Sequence, residues 1–186
     1  MLVKHSPRLR GRIANRETAR GEHFMKRQKG FSLIELLIVV AIILIIAAIA
    51  IPNLLRSRMA ANEASAVGSV RTINTAEVTY STAYPDVGFT LTLANLGGPT
   101  GTCATGGTGA TSTQACLIDN VLGAGTKSGY TFALSGTAAT PQTTFTLKAS
   151  PVTVGSSGQR GFYTDHTGVI RYNQSGSATS TDNPLQ

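Results

Sequence analysis

Few side chains in this chain of 186 residues could do chemistry, and one of them stands in unusual company. Residues 31–51 read FSLIELLIVVAIILIIAAIAI, with Ser32 and Glu35 the only polar members. An ionisable group in such a run costs up to roughly 3 kcal/mol at the centre of a membrane helix and less near an end. A carboxylate there needs a partner. A cut between Gly30 and Phe31 would create one, because the new α-amine would lie four residues before Glu35 on the same helix face. That amine is mostly cationic at neutral pH. Two opposite charges about 4 Å apart attract by roughly 4 kcal/mol at moderate dielectric, which could offset the burial of both.

The other reactive side chains form no catalytic set. His166 is the only histidine after residue 30 and falls in an Asp165-His166-Thr167-Gly168 turn, where it reads as solvated. There is no Gly-x-Ser-x-Gly elbow, no Walker lysine in a glycine-rich frame and no Cys-x-x-Cys-His site. Gly123-Ala124-Gly125 resembles the start of a dinucleotide loop, but Ser128 stands where the third glycine belongs, so it reads as a turn. Cys103 and Cys116 are too few for a zinc site. They enclose 12 residues, and a bridge closing a loop of that size is worth about 3 kcal/mol in the chain-entropy model. Two free buried thiols are the other reading.

Charge and apolar length set the elements around these residues. The formal charge is +7, and all of the excess lies in residues 1–30, which hold nine basic and two acidic groups; residues 31–186 hold seven of each. A basic nucleic-acid-binding body is thereby excluded as the default, and no direct nucleic-acid partner is predicted. Twenty-one residues of helix span about 31 Å, close to the hydrocarbon thickness of a bilayer. Lys26, Arg27 and Lys29 precede the span directly, so the positive-inside rule puts the N-terminus in the cytoplasm and residues after 52 outside, where a cysteine pair oxidises. A plain anchor, a secretory signal ending near Ala48-Ile49-Ala50 and a prepilin signal all fit the length. Only the last has a use for Glu35.

After Pro52 the pattern becomes amphipathic. Leu55, Met59, Ala66, Val70, Ile73, Ala76, Tyr80 and Tyr84 recur at helical spacing, while Arg56, Arg58, Asn62, Glu63, Ser69 and Asn74 are expected to face elsewhere. The two halves make one helix of about 53 residues, ended by Tyr84-Pro85. Pro52 is a possible kink and Gly68 a weak point. Residues 85–127 read as a glycine- and threonine-rich connecting loop, and residues 97–116 within it as a low-complexity segment with almost no core of its own. Alternation predicts strands at 128–134, 143–149, 161–164 and 169–172, the last two forming a hairpin. A small antiparallel sheet would then cover Val70, Ile73 and Tyr80. The fold class is α+β.

The segment KGFSLIELLIVVAIILIIAAIAIP resembles the N-terminus of type IV pilins and of the related type II secretion pseudopilins. The resemblance covers about residues 26–84 and is most specific in its first half. It implies a pilin-like fold, with a leader at 1–30, a membrane-spanning and later filament-core helix at 31–52, its amphipathic half at 53–84, the connection at 85–127, and the sheet and tail at 128–186. It implies cleavage after Gly30 and N-methylation of Phe31 by a membrane prepilin peptidase. Glu35 would pair with a Phe31 amine, of its own or a neighbouring copy, during assembly.

The implied partners are further copies of the chain in a helical homopolymer, the peptidase, an inner-membrane assembly platform with its ATPase, and the bilayer before assembly. No enzyme activity, metal or cofactor is implied. The precursor would sit in the bacterial inner membrane, and the product would be an extracellular pilus or a periplasmic pseudopilus. Two departures stand out. Leu44 occupies the place of a glycine that loosens the helix in many family members. The leader is also long, and a start at Met25 would leave MKRQKG, the short basic kind. Pseudopilin C-terminal loops can bind calcium, but Asp119, Asp165 and Asp182 are scattered and read as turn residues. A protein of another class, an uncleaved single-span envelope protein with a ligand-binding outer domain, would keep residues 1–30 attached.

Overall fold

The computed structural model describes residues 30–98, 103 and 110–185. The leader before Gly30, Met25 included, and most of the connection between residues 99 and 109 lie outside the described residues. The chain divides into two compact units, residues up to Ile42 and residues from Ile43 onward.

Helix α1 is Leu33–Ala83 and includes Pro52. It opens with Leu36 N–H donating to the Ser32 carbonyl at 3.1 Å. Glu35 lies in its first turn, where a negative charge complements the helix dipole. The helix stops where the sequence predicts. Pro85 disfavours helical backbone at Tyr84, and the N–H groups of Val87 and Gly88 fold back onto the Tyr84 carbonyl.

From residue 63 the helix buries one face, made of Glu63, Ala66, Ser69, Val70, Ile73, Ala76, Glu77 and Tyr80. The apolar members follow the expected spacing. Glu63 and Ser69 do not face elsewhere as expected: both are buried. For Glu63 the polar partners that permit burial come from residues 159–160, about a hundred positions away.

The sheet is antiparallel and has six strands in sequence order: β1 Thr126–Lys127, β2 Tyr130–Ser135, β3 Thr146–Pro151, β4 Gly161–Asp165, β5 Arg171–Asn173 and β6 Asn183–Pro184. Registers such as Phe132↔Ala149 and Ala149↔Phe162 line up one buried face. Tyr130, Phe132, Leu147, Ala149 and Phe162 share a single apolar core with Ala66, Val70, Ile73 and Tyr80.

Strand limits differ from the alternation pattern for local reasons. Ser128 and Gly129 both have positive φ, 50° and 74°. Together they make the two-residue turn between β1 and β2, a conformation that matches strand twist, instead of starting a strand. Residues 143–145 leave the sheet because Gln142 is tied to the 87–89 segment, accepting from Phe89 N–H and donating to the Val87 carbonyl. β6 contains a proline and no β-former, so no alternation announces it.

The connection at 85–127 is richer than a coreless loop. It carries two four-residue helices, α2 Leu93–Leu96 and α3 Asn120–Gly123. Leu93, Leu96, Ala115, Ile118 and Leu122 from this stretch are buried in the main core. Four of the five flank the low-complexity segment at 97–116, and only Ala115 lies within it. Ala115 and Leu117 donate backbone hydrogen bonds to the Asn95 and Leu96 carbonyls at 2.7 Å, holding the two sides of the loop together.

Candidate functional site

The residues predicted to matter for processing sit before and within the first turn of α1. Gly30 and Phe31 precede the helix and are exposed, Phe31 by 73%. A Cβ built on Gly30 would meet no atom within 4 Å, so the glycine is not required by packing. Glu35 is exposed and makes no ion pair or hydrogen bond among the described residues. Along residues 31–51 every side chain except Ala47 is exposed, and Leu33, Ile45 and Ile49 each stand more than 60% open. This part of α1 is long and apolar enough to cross a membrane, and none of it is buried within the protein. A bare apolar surface of this extent is costly in water and marks a face that lipid or protein must cover.

Cys103 and Cys116 are joined in a disulfide, with Cα atoms 5.4 Å apart. Gly98 was not singled out by the sequence, yet a Cβ there would run into the Cys103 sulfur, so only glycine leaves the bridge its space. Nothing in a run of glycines and threonines distinguishes Gly98 beforehand.

Two buried acids were also missed as such. Glu63 accepts from Gln159 N–H at 2.8 Å and from Arg160 N–H at 3.0 Å, while its second oxygen accepts from Arg160 Nε at 2.7 Å. Burial pushes the Glu63 carboxyl up, but the two backbone donors and the guanidinium outweigh that and hold it below the usual carboxylate range. The Arg160 guanidinium lies over the Phe162 and Tyr172 rings, 5.7 and 5.6 Å from their centroids. This set clamps the β3–β4 loop to the helix.

Glu77 is fully buried with a single partner, Thr90 N–H at 3.0 Å, and its other oxygen has none. Burial dominates the one backbone hydrogen bond and pushes its carboxyl up to about 8. Its protonated form is therefore favoured at neutral pH.

The residues weighed for other chemistry do not converge. His166 is exposed in the β4–β5 turn. Asp165 caps that same turn through Thr167 N–H at 2.9 Å. Asp182 holds a separate turn through Thr179 N–H and Asn173 Nδ2, both at 2.7 Å. Asp119 caps α3 and pairs with Lys127 at 2.8 Å. Among the described residues no group of three or more His, Cys, Asp or Glu could hold a metal.

Residues 25–51 match the family model described as the prokaryotic N-terminal methylation motif. Over 39 residues the chain is 64% identical to the type IV wide pilus major component PilA4 of Thermus thermophilus. Over 61 residues it is 43% identical to the type IV major pilin protein PilA of Myxococcus xanthus. The N-terminal segment is similar to that of these two type IV pilins. The two matches cover 21% and 33% of this chain, and the chain spans only 30% and 28% of the length of those relatives. No solved structure matches the chain.

The pilin likeness therefore rests on the apolar helix and its start. Residues 126–185, the sheet-bearing outer domain of the proposal below, add only a likeness of layout: a small antiparallel sheet behind a long helix. Both relatives are named as pilus components, which are structural proteins. The methylation motif followed by an exposed apolar helix fits insertion in a membrane.

Proposed function

We propose that the chain is a prepilin, the precursor of a structural subunit of a type IV filament. Residues 31–51 hold it in the inner membrane with the leader in the cytoplasm. A prepilin peptidase cuts after Gly30 and methylates the new N-terminus at Phe31. An assembly platform and its ATPase then extract the subunit, and the apolar helices of successive copies bundle into a filament core. Apolar packing drives the bundling, since each copy trades lipid contacts for protein contacts. Glu35 selects the seating of each new copy, because a carboxylate brought among apolar helices is tolerated only against a Phe31 amine.

The observation that carries this reading is the run at 31–51, exposed except at Ala47, which holds one carboxylate with no partner among the described residues and falls inside the methylation motif. A membrane anchor alone has no use for that carboxylate. A secretion pseudopilin shares the same start, but both relatives are named as components of pili, which favours a pilus. Electron microscopy of cells with and without the chain tests the proposal. Filaments that vanish with the chain, and that bind an antibody raised against residues 128–186, are expected. An unchanged filament population together with secretion loss would indicate the pseudopilin. The chain retained in the membrane without any filament or secretion defect would contradict both.

A further inference from the structure

The part of α1 that carries the sheet has a second face, which is exposed among the described residues. Arg71, Thr72, Thr75, Val78, Thr79 and Thr82 occupy one side of the helix, opposite Val70, Ile73 and Tyr80, and all six are exposed. The four threonine hydroxyls donate to carbonyls of the same helix, those of Gly68, Arg71, Thr75 and Val78, at 2.9–3.1 Å. With their polar atoms satisfied internally, these threonines turn methyl groups outward, and Val78 stands 58% open beside them. Burying such a face leaves no hydroxyl unpaired. A hollow of about 550 Å³ lies along one side, lined by Arg71, Val78, Gly168 and Ile170 among others. A second hollow on the other side is lined by Arg71, Thr79 and Leu117 among others.

The charges name the occupant. Of the seven acids after residue 30, Glu63 and Asp119 pair with Arg160 and Lys127. Asp165 and Asp182 are held in their own turns, and Glu77 is buried. Only Glu35 and Asp86 are left with no partner among the described residues, and Asp86 lies beside Val87, which is 40% exposed. Arg71 on the open face likewise has no acidic partner. Arg71 and the end of α1 at Ala83 are twelve residues apart, which is about 18 Å along the helix. Within one chain Arg71 cannot reach Asp86.

We propose that this face docks a second copy of the chain, with Arg71 of one copy paired to Asp86 of the next and Val78 packed against Val87. The two patches differ, so the contact is heterologous and propagates from copy to copy instead of closing a pair. The proposal rests on the filament reading and adds to it a contact between outer domains, separate from the apolar helix bundle.

The full-length chain is expressed in its own cells as wild type, Arg71→Asp, Asp86→Arg, the double swap and Lys148→Asp. Lys148 is an exposed cation on β3, away from this face. Filaments sheared from the surface are measured against total chain. Each single reversal at Arg71 or Asp86 is expected to lower the sheared fraction by roughly tenfold at unchanged cell content, while the double swap restores it and Lys148→Asp leaves it near wild type. Arg71→Lys filaments treated with a carbodiimide should yield a bond from the substituted side chain to Asp86. In filaments mixed from isotope-labelled and unlabelled chains, that bond joins one label to the other. Wild-type yield in both single reversals, no rescue by the swap, or an equal loss from Lys148→Asp would each overturn the contact while leaving the filament reading intact. Absence of filaments in the wild type itself would remove both.

Discussion

Two stretches of one helix meet their surroundings in opposite ways. Between Leu33 and Ile51, leucine, isoleucine and valine side chains stand open on every side. Between Glu63 and Tyr80, eight residues are covered, including two glutamates. Helix propensity does not separate the stretches. What separates them is the source of the cover. The second stretch alternates apolar and polar residues with helical period, so the sheet and the connection before it suffice to bury its apolar face. The first is apolar all round, and no single neighbour in a small domain can cover such a cylinder. Its cover must come from lipid or from many copies. The acids follow the same division: Glu63 and Glu77 are accommodated by partners or protonation inside the domain, whereas Glu35 has none among the described residues.

The sharpest way to break this division is at the processing site. Gly30→Val should abolish cleavage and filaments while leaving the outer domain folded, because the position is exposed and unpacked. An immunoblot should show only the longer precursor. Processed chain at wild-type amounts would remove the prepilin reading. Next in size is Glu35→Ala. It should be processed normally yet yield roughly tenfold fewer filaments or worse, from loss of a buried charge pair. Wild-type filament yield would show that the carboxylate has no part in assembly.

Within the outer domain the expected effects are on stability and not on processing. Glu63→Ala removes the acceptor for two backbone N–H groups and one guanidinium. It should cost about 3 kcal/mol in thermal or denaturant unfolding of the full chain in detergent, with cleavage unchanged. A loss under about 0.5 kcal/mol would mean the clamp contributes nothing beyond an ordinary surface contact.

Glu77→Gln should act with the opposite sign. The Glu77 carboxyl rises from 4.5 unfolded to about 8 folded. Its favourable contribution is therefore complete below pH 4.5 and is lost as pH rises toward 8. The glutamine variant should match wild type in acid and become the more stable of the two as pH rises toward the upper end of that window. Equal stability at both ends would show that Glu77 is not buried as described.

Much of this was legible in the sequence because the signals were local. The helix end at Tyr84-Pro85, the apolar run, the buried Val70, Ile73 and Tyr80, the α+β class and the hairpin around Gly168 each depend on residues close in the chain. What was not legible depended on distant partners. Glu63 looks like a surface residue until residues 159–160 arrive over it. Gln142 breaks a promising strand because it meets residues 87–89. Leu93, Ile118 and Leu122 are too dispersed among glycines and threonines to announce a core, and Gly98 matters only because two sulfurs pass beside it. The short strand β6 has no β-forming residue at all. The start of α1 differs in kind. There the residue types at Gly30, Phe31 and Glu35 carried a chemical expectation that packing does not express, since all three lie exposed.

The most direct test is mass spectrometry of the intact chain recovered from native membranes and surface filaments. The account predicts that the mature chain begins at Phe31 and carries one extra methyl group on that nitrogen. The same molecule should hold the Cys103–Cys116 bridge. A mature chain that still carries residues before Phe31, in filaments or in membranes, would contradict it.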